Sequence, residues 1–239
     1  MTTLLAPAPG AAFGEIATLF ELPRLLLRAP ELLRLEAGVG GPVLVLPGFG
    51  ASDASSAILR AFLRRIGFDT YGWGLGRNHG DVEALLEPVR NVVNRLADRT
   101  GAPVQLVGWS LGGVLARETA RDAPQSVRQV ITFGTPVVGG PKYTLVGARY
   151  AALGFDVDAL ETIVAERHKQ HIAAPVTAIY SRADGIVSWR ACIDPWTPDV
   201  EHVEVGSTHI GLGIDPDVYR IVAQRLARPR VRDRMAAVR

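Results

Sequence analysis

The chain has 239 residues, of which 48% are apolar and 21% charged. That balance excludes a disordered chain, and the length suits one α/β domain of the usual ~200–250 residues. The 26 basic and 24 acidic residues leave a net charge of +2, too little for a dedicated nucleic-acid binder. The one cysteine, Cys192, excludes an internal disulfide framework and a cysteine-based metal cluster.

Residues 1–10 carry Pro7, Pro9 and Gly10 and read as a loose arm. There is no basic leader and no run of ~18 apolar residues, so a cytoplasmic protein is expected. From Phe13 to Leu35 the pattern predicts helix. Ile16, Leu19, Phe20, Leu25, Leu26, Leu32 and Leu33 are apolar there, with Arg24, Arg28 and Arg34 between them. Pro23 and Pro30 are expected to break the segment into two or three short helices, because each lacks an N–H donor. Two readings stay open for it. It is an interfacial helix at the inner membrane face, aided by a basic tail over 229–239, or its leucines cover the domain.

Strand and helix signals then alternate. Val43–Leu46, Phe68–Trp73, Val104–Val107, Val127–Phe133, Val176–Tyr180 and His202–Val205 read as strands. Ala57–Ile66, Asp81–Arg99, Leu111–Asp122 and Pro216–Ala227 read as helices. The alternation predicts a mostly parallel sheet of about six strands flanked by helices. The stretch 134–174 holds two further helices, Thr144–Leu153 and Val157–Gln170, where a crossover needs only one. The surplus, about 137–172, reads as a small helical cap between strands four and five, with Gly139-Gly140 as its hinge. The expected organisation is therefore 1–40 as arm and helices, 41–228 as the domain, and 229–239 as the tail.

The sharpest motif is Gly108-Trp109-Ser110-Leu111-Gly112, set between a strand and a helix. A serine on such a turn is held in a strained conformation with its hydroxyl pushed out of the sheet, and flanking glycines avoid clashes with strand and helix. A serine hydroxyl needs a base to become nucleophilic. In this arrangement an acid and then a histidine follow the serine along the chain. Asp184 lies just past the fifth strand and His209 just past the sixth. Both therefore share one sheet edge with Ser110, the edge where open α/β sheets bind ligands.

Other histidines and acids fit these roles less well. His202 falls inside a strand, facing a helix layer. His168 and His171 end a polar helix and are expected to be solvated, and His79 sits in a loop. Asp194 and Asp199 are rival acids in a Pro-rich loop, while Asp156 and Asp158 come earlier, in the cap. Cys192 has no adjacent base. Oxyanion donors are expected from the backbone N–H groups of Leu111 and of Phe49, in the loop Leu46-Pro47-Gly48-Phe49-Gly50. The expected pocket lining is Trp109, Pro136, Val137, Val138, Ile186, Trp189, Ile210 and Leu212, each of which could equally serve core packing.

These motifs carry a resemblance. The chain resembles the α/β-hydrolase superfamily, and within it bacterial lipases and esterases, over roughly 41–226. The matching pieces are the Pro47-Gly48-Phe49 loop, the Ser110 elbow, Asp184-Gly185-Ile186-Val187 and His209-Ile210-Gly211. Many relatives carry His-Gly where Pro47-Gly48 stands, and many lipases a histidine where Trp109 stands. Phe133-Gly134-Thr135-Pro136 is similar to a stretch of triacylglycerol lipases, and the elbow also looks like that of pimeloyl carrier-protein methyl esterases. The resemblance implies no cofactor and no metal. It implies a serine carboxylic-ester hydrolase acting through an acyl-enzyme on a lipid-like or medium-chain ester. An acyltransferase or thioesterase with the same three residues is the alternative, and a non-catalytic binding protein a more distant one.

Overall fold

A computed structural model describes residues 4–36 and 41–228; the basic tail expected over 229–239 lies outside the described residues. Six strands form one sheet: β1 Val43–Leu46, β2 Thr70–Gly72, β3 Val104–Trp109, β4 Val127–Phe133, β5 Val176–Ser181 and β6 Glu201–Val205. Their order is β2-β1-β3-β4-β5-β6, and every neighbouring pair is parallel. A parallel sheet is covered on both faces, which is why its strands read as continuous apolar runs. Side chains alternate across it. Val43 and Val45 join one core with α1 (Glu21–Leu32), α2 (Ala57–Arg65) and α7 (Pro216–Leu226). Leu44 and Leu46 join the other with α3 (Val82–Thr100) and α4 (Leu111–Asp122). The second strand is shorter than expected, with Phe68 entering the core ahead of it.

The N-terminal segment departs from expectation. Pro9–Phe20 is a 3₁₀-helix, and α1 follows directly. The change comes at Phe20, not at the prolines. Pro23 occupies the first turn of α1, where N–H groups have no intrahelical partner. Pro30 sits in the last turn, and the residue four back, whose carbonyl its missing N–H would have bonded, is the exposed Leu26. Of the leucines here, Leu25 and Leu32 are buried, whereas Leu19, Leu26 and Leu27 are exposed.

Between β4 and β5 the chain forms the expected cap: a 3₁₀ turn at Gly140–Tyr143, then α5 (Gly147–Ala152) and α6 (Val157–Arg167). Gly139 and Gly140 enter it with φ of 65° and 55°. A Cβ on Gly139 would come within 2.3 Å of the Tyr143 ring, so an alanine there is strained whether or not the cap moves. Among the described residues no helix is long and apolar enough to cross a membrane.

Candidate active site

Ser110, Asp184 and His209 follow the C-terminal ends of β3, β5 and β6, and the Gly48-Phe49 loop follows β1. The sheet therefore delivers all of them to one edge. Ser110 has φ 53° and ψ −122°, a left-handed backbone that costs a non-glycine residue ~1–3 kcal/mol. Its surroundings hold it there. The Ser110 N–H donates to the Phe133 carbonyl at 2.9 Å, and the Ser110 carbonyl accepts from the Gly113 N–H and from Thr135 Oγ1, both at 2.9 Å. The glycines are sterically required. A Cβ on Gly112 would lie 2.2 Å from the Leu46 carbonyl oxygen, and one on Gly108 2.4 Å from the Gly113 Cα.

The acid and the imidazole are in contact. His209 Nδ1 is 2.6 Å from Asp184 Oδ2, and both residues are buried. Asp184 Oδ1 accepts from the Ile186 and Val187 N–H groups at 2.9 and 2.7 Å. A carboxylate so engaged is acceptor-only, so His209 carries its proton on Nδ1 and leaves Nε2 as an acceptor. Ser110 and His209 both line one cleft of about 620 Å³, within the ~300–1,000 Å³ typical of small-molecule sites. Leu111, Gly48 and Phe49 line it too. Asn78 braces that loop from beneath, donating to the Pro47 carbonyl at 2.9 Å and accepting from the Gly50 N–H at 2.7 Å.

A scan against family models matches residues 43–237 to the alpha/beta hydrolase family. The chain belongs to that family. Solved structures of lipases and esterases share the fold of this hydrolase. A metagenome-derived lipolytic enzyme matches with a TM-score of 0.60 and 18% identity, covering 80% of this chain and 93% of its own. A monoacylglycerol lipase of Paleococcus ferrophilus matches with 0.60 and 19%, covering 81% and 96%. The thioesterase domain of a curacin biosynthetic pathway matches with 0.55 and 14%, covering 81% and 93%.

Of the expected lining of the hydrolase cleft, Trp109, Pro136, Val137, Ile186 and Ile210 are present. The other three face elsewhere. Leu212 is fully buried in the core. Trp189 stacks on Tyr180 at 5.9 Å and lies under Arg182 and Arg190. Val138 turns its N–H to the Ala191 carbonyl. Much of the wall comes instead from the cap, through Val146, Tyr150, Phe155, Leu160, Ile163 and Val164. The signal was the spacing 160, 163, 164 on α6, which buries no residue in a core and faces its apolar stripe to the cleft.

His168 is not solvated. It is buried, stacks on Trp196 at 4.1 Å and bonds Arg121 and the Val137 carbonyl, each at 2.8 Å. Arginine only donates, so Nδ1 accepts and Nε2–H donates to Val137. Burial, with Arg121 close by, pushes its pKa below the ordinary value. His171, His79 and Asp199 are exposed. His202 accepts from the Asp194 N–H at 3.0 Å. Asp194 is committed to buried Arg117. Burial alone would raise its pKa, but the guanidinium and the Thr197 and Trp196 N–H groups hold it down to about 2. Cys192 is buried and its thiol pKa is pushed well up by burial. Among the described residues no group of three or more His, Cys, Asp or Glu is placed to hold a metal ion.

Proposed function

We propose that this hydrolase is a serine carboxylic-ester hydrolase acting through an acyl-enzyme on a lipid-like or medium-chain ester. The observation that carries this reading is the strained Ser110 sharing one apolar-walled cleft with the Asp184–His209 pair. Ser110 Oγ attacks the ester carbonyl while His209 Nε2 takes its proton. Asp184 holds the imidazole in the competent tautomer and stabilises the imidazolium. The backbone N–H groups of Leu111 and Phe49 receive the oxyanion. His209 then hands the proton to the departing alkoxide, and water, deprotonated by the same nitrogen, releases the acid.

The cap walls support an apolar acyl chain. The test is hydrolysis of p-nitrophenyl esters from acetate to palmitate with Ser110→Ala beside the wild type. Loss of the nucleophile lowers kcat on the order of 10⁴–10⁶-fold; full activity in that variant refutes Ser110 as the nucleophile. A wild type silent on the whole series, yet active on an acyl thioester, selects the thioesterase alternative, which the fold shared with a thioesterase domain keeps in view.

The same reading includes peripheral contact with lipid. Phe13, Ile16 and Leu19 are 78%, 62% and 73% exposed, and the tail adds Arg230, Arg232, Arg234 and Arg239, which anionic lipid attracts. Replacing the three apolar residues by serine should lower co-sedimentation with anionic liposomes. Unchanged binding removes this face as the contact.

A further inference from the structure

The Pro9–Phe20 3₁₀-helix and the start of α1 carry polar residues at intervals of three: Glu15, Thr18 and Glu21. Residues three apart eclipse in a 3₁₀-helix, so these side chains fall in one line. That line lies against the loops holding the acid and the base. Glu15 Oε1 accepts from the N–H groups of Gly185 at 2.9 Å and His209 at 3.0 Å, and Oε2 from that of Ile210 at 2.8 Å. The Thr18 and Thr208 hydroxyls share a hydrogen bond of 2.7 Å, and Ser207 donates to Glu21 at 2.9 Å. The approach is close enough to demand glycine: a Cβ on Gly185 would lie 2.4 Å from the Ala11 carbonyl oxygen.

One carboxylate thus bridges the residue after the acid, the base itself and the residue after the base. Nothing else among the described residues does so. β5 and β6 stay paired only as far as Ser181 and Val205. Beyond them, the one direct hydrogen bond between the two loops among the described residues is the Asp184–His209 contact itself. Three N–H bonds to an ionised acceptor are charge-assisted and strong.

We propose that Glu15 is a positioning residue. It sets the separation of the acid and base loops and so holds Asp184 Oδ2 against His209 Nδ1. This rests on the catalytic reading above, and the experiment separates the two. The full chain is labelled with a fluorophosphonate, which reacts with an activated serine whatever the natural ester is, and assayed on the best p-nitrophenyl ester. Ser110→Ala, Glu15→Ala and Glu15→Gln are run beside the wild type. A wild type that resists the probe, or a Ser110→Ala that still takes it, overturns the catalytic reading.

With that reading standing, Glu15→Ala should lose about 100-fold in labelling rate and kcat, the scale of a ~1 Å misplacement, with KM within about twofold. The far-downfield proton resonance of the His209–Asp184 hydrogen bond should vanish with it. Glu15→Gln keeps an oxygen for Gly185 and His209 but opposes Ile210 with an amide, and should lose about tenfold. A folded Glu15→Ala with wild-type kcat and an intact resonance overturns the proposal. So does a loss that only tracks the unfolded fraction. If the alanine variant does not fold, wild-type kcat in Glu15→Gln overturns it alone.

Discussion

Asp184→Asn is nearly isosteric, yet it should abolish turnover, and the reason lies in which oxygen is already engaged. Oδ1 accepts two backbone N–H groups, from Ile186 and Val187, while Oδ2 faces His209 Nδ1. An asparagine must put its amide nitrogen on one side or the other. Turned toward the backbone, it would set a donor against the half-buried Ile186 N–H and the buried Val187 N–H, at ~1–3 kcal/mol for a buried one. Its oxygen therefore stays at the Oδ1 position and its NH₂ faces the imidazole. His209 then accepts at Nδ1 and carries its proton on Nε2, where it cannot take the Ser110 proton. A wrong tautomer of this kind costs about 10⁴-fold in kcat, or ~5.4 kcal/mol in barrier. The assay is kcat on a p-nitrophenyl ester, with a thermal melt to verify the fold. A variant that retains more than a tenth of wild-type kcat refutes the assigned roles.

Asp194→Asn leaves Arg117, 2% exposed, as an uncompensated buried charge; denaturation should report ~3–5 kcal/mol lost, and Arg117→Met with Asp194→Leu should recover much of it. Because the Asp194 pKa is depressed to about 2, its stabilisation is fully present above the unfolded value of ~3.9 and disappears as pH falls from there toward 2. His168 runs the other way in charge but not in slope. Its folded pKa lies below the unfolded value, so the unfolded state takes up the proton first and stability falls as pH drops below ~6.5; His168→Gln should flatten that part of a pH–stability curve. Gly113→Ala places a Cβ 2.0 Å from Thr135 Oγ1 and should cost both activity and several degrees in Tm, with partial rescue by Thr135→Ala.

The central sheet could be read from the chain because its strands are buried on both faces. Val127–Phe133 and Leu111–Asp122 have in the structure the bounds that their apolar patterns imply. The placement of Ser110, Asp184 and His209 at one sheet edge was legible because each stands just past a strand end. The cap walls were not, since Leu160, Ile163 and Val164 have the same spacing whether they fill a core or line a cavity. Trp189 and Leu212 misled for the converse reason: nearness in sequence to Asp184 and His209 says nothing about which way a side chain turns. Over one or two turns a period of 3.0 is hard to tell from 3.6, so the polar line through Glu15, Thr18 and Glu21 was hidden beneath the more conspicuous leucines. His168 looked solvated because its partners, Arg121 and Val137, are distant in the chain.

Tyr150 of the cap touches two loops at once, the one that holds the proposed oxyanion donor Phe49 and the one after β2. Its ring lies 5.2 Å from that of Phe49, and its hydroxyl donates to the Gly80 carbonyl at 3.2 Å. The roof over the cleft and the loop proposed to receive negative charge are therefore in direct contact. An alcohol group bulky enough to hold α5 away from the sheet would also loosen the Phe49 peptide that has to meet the developing anion. Selectivity against such esters would then be written in turnover more than in binding.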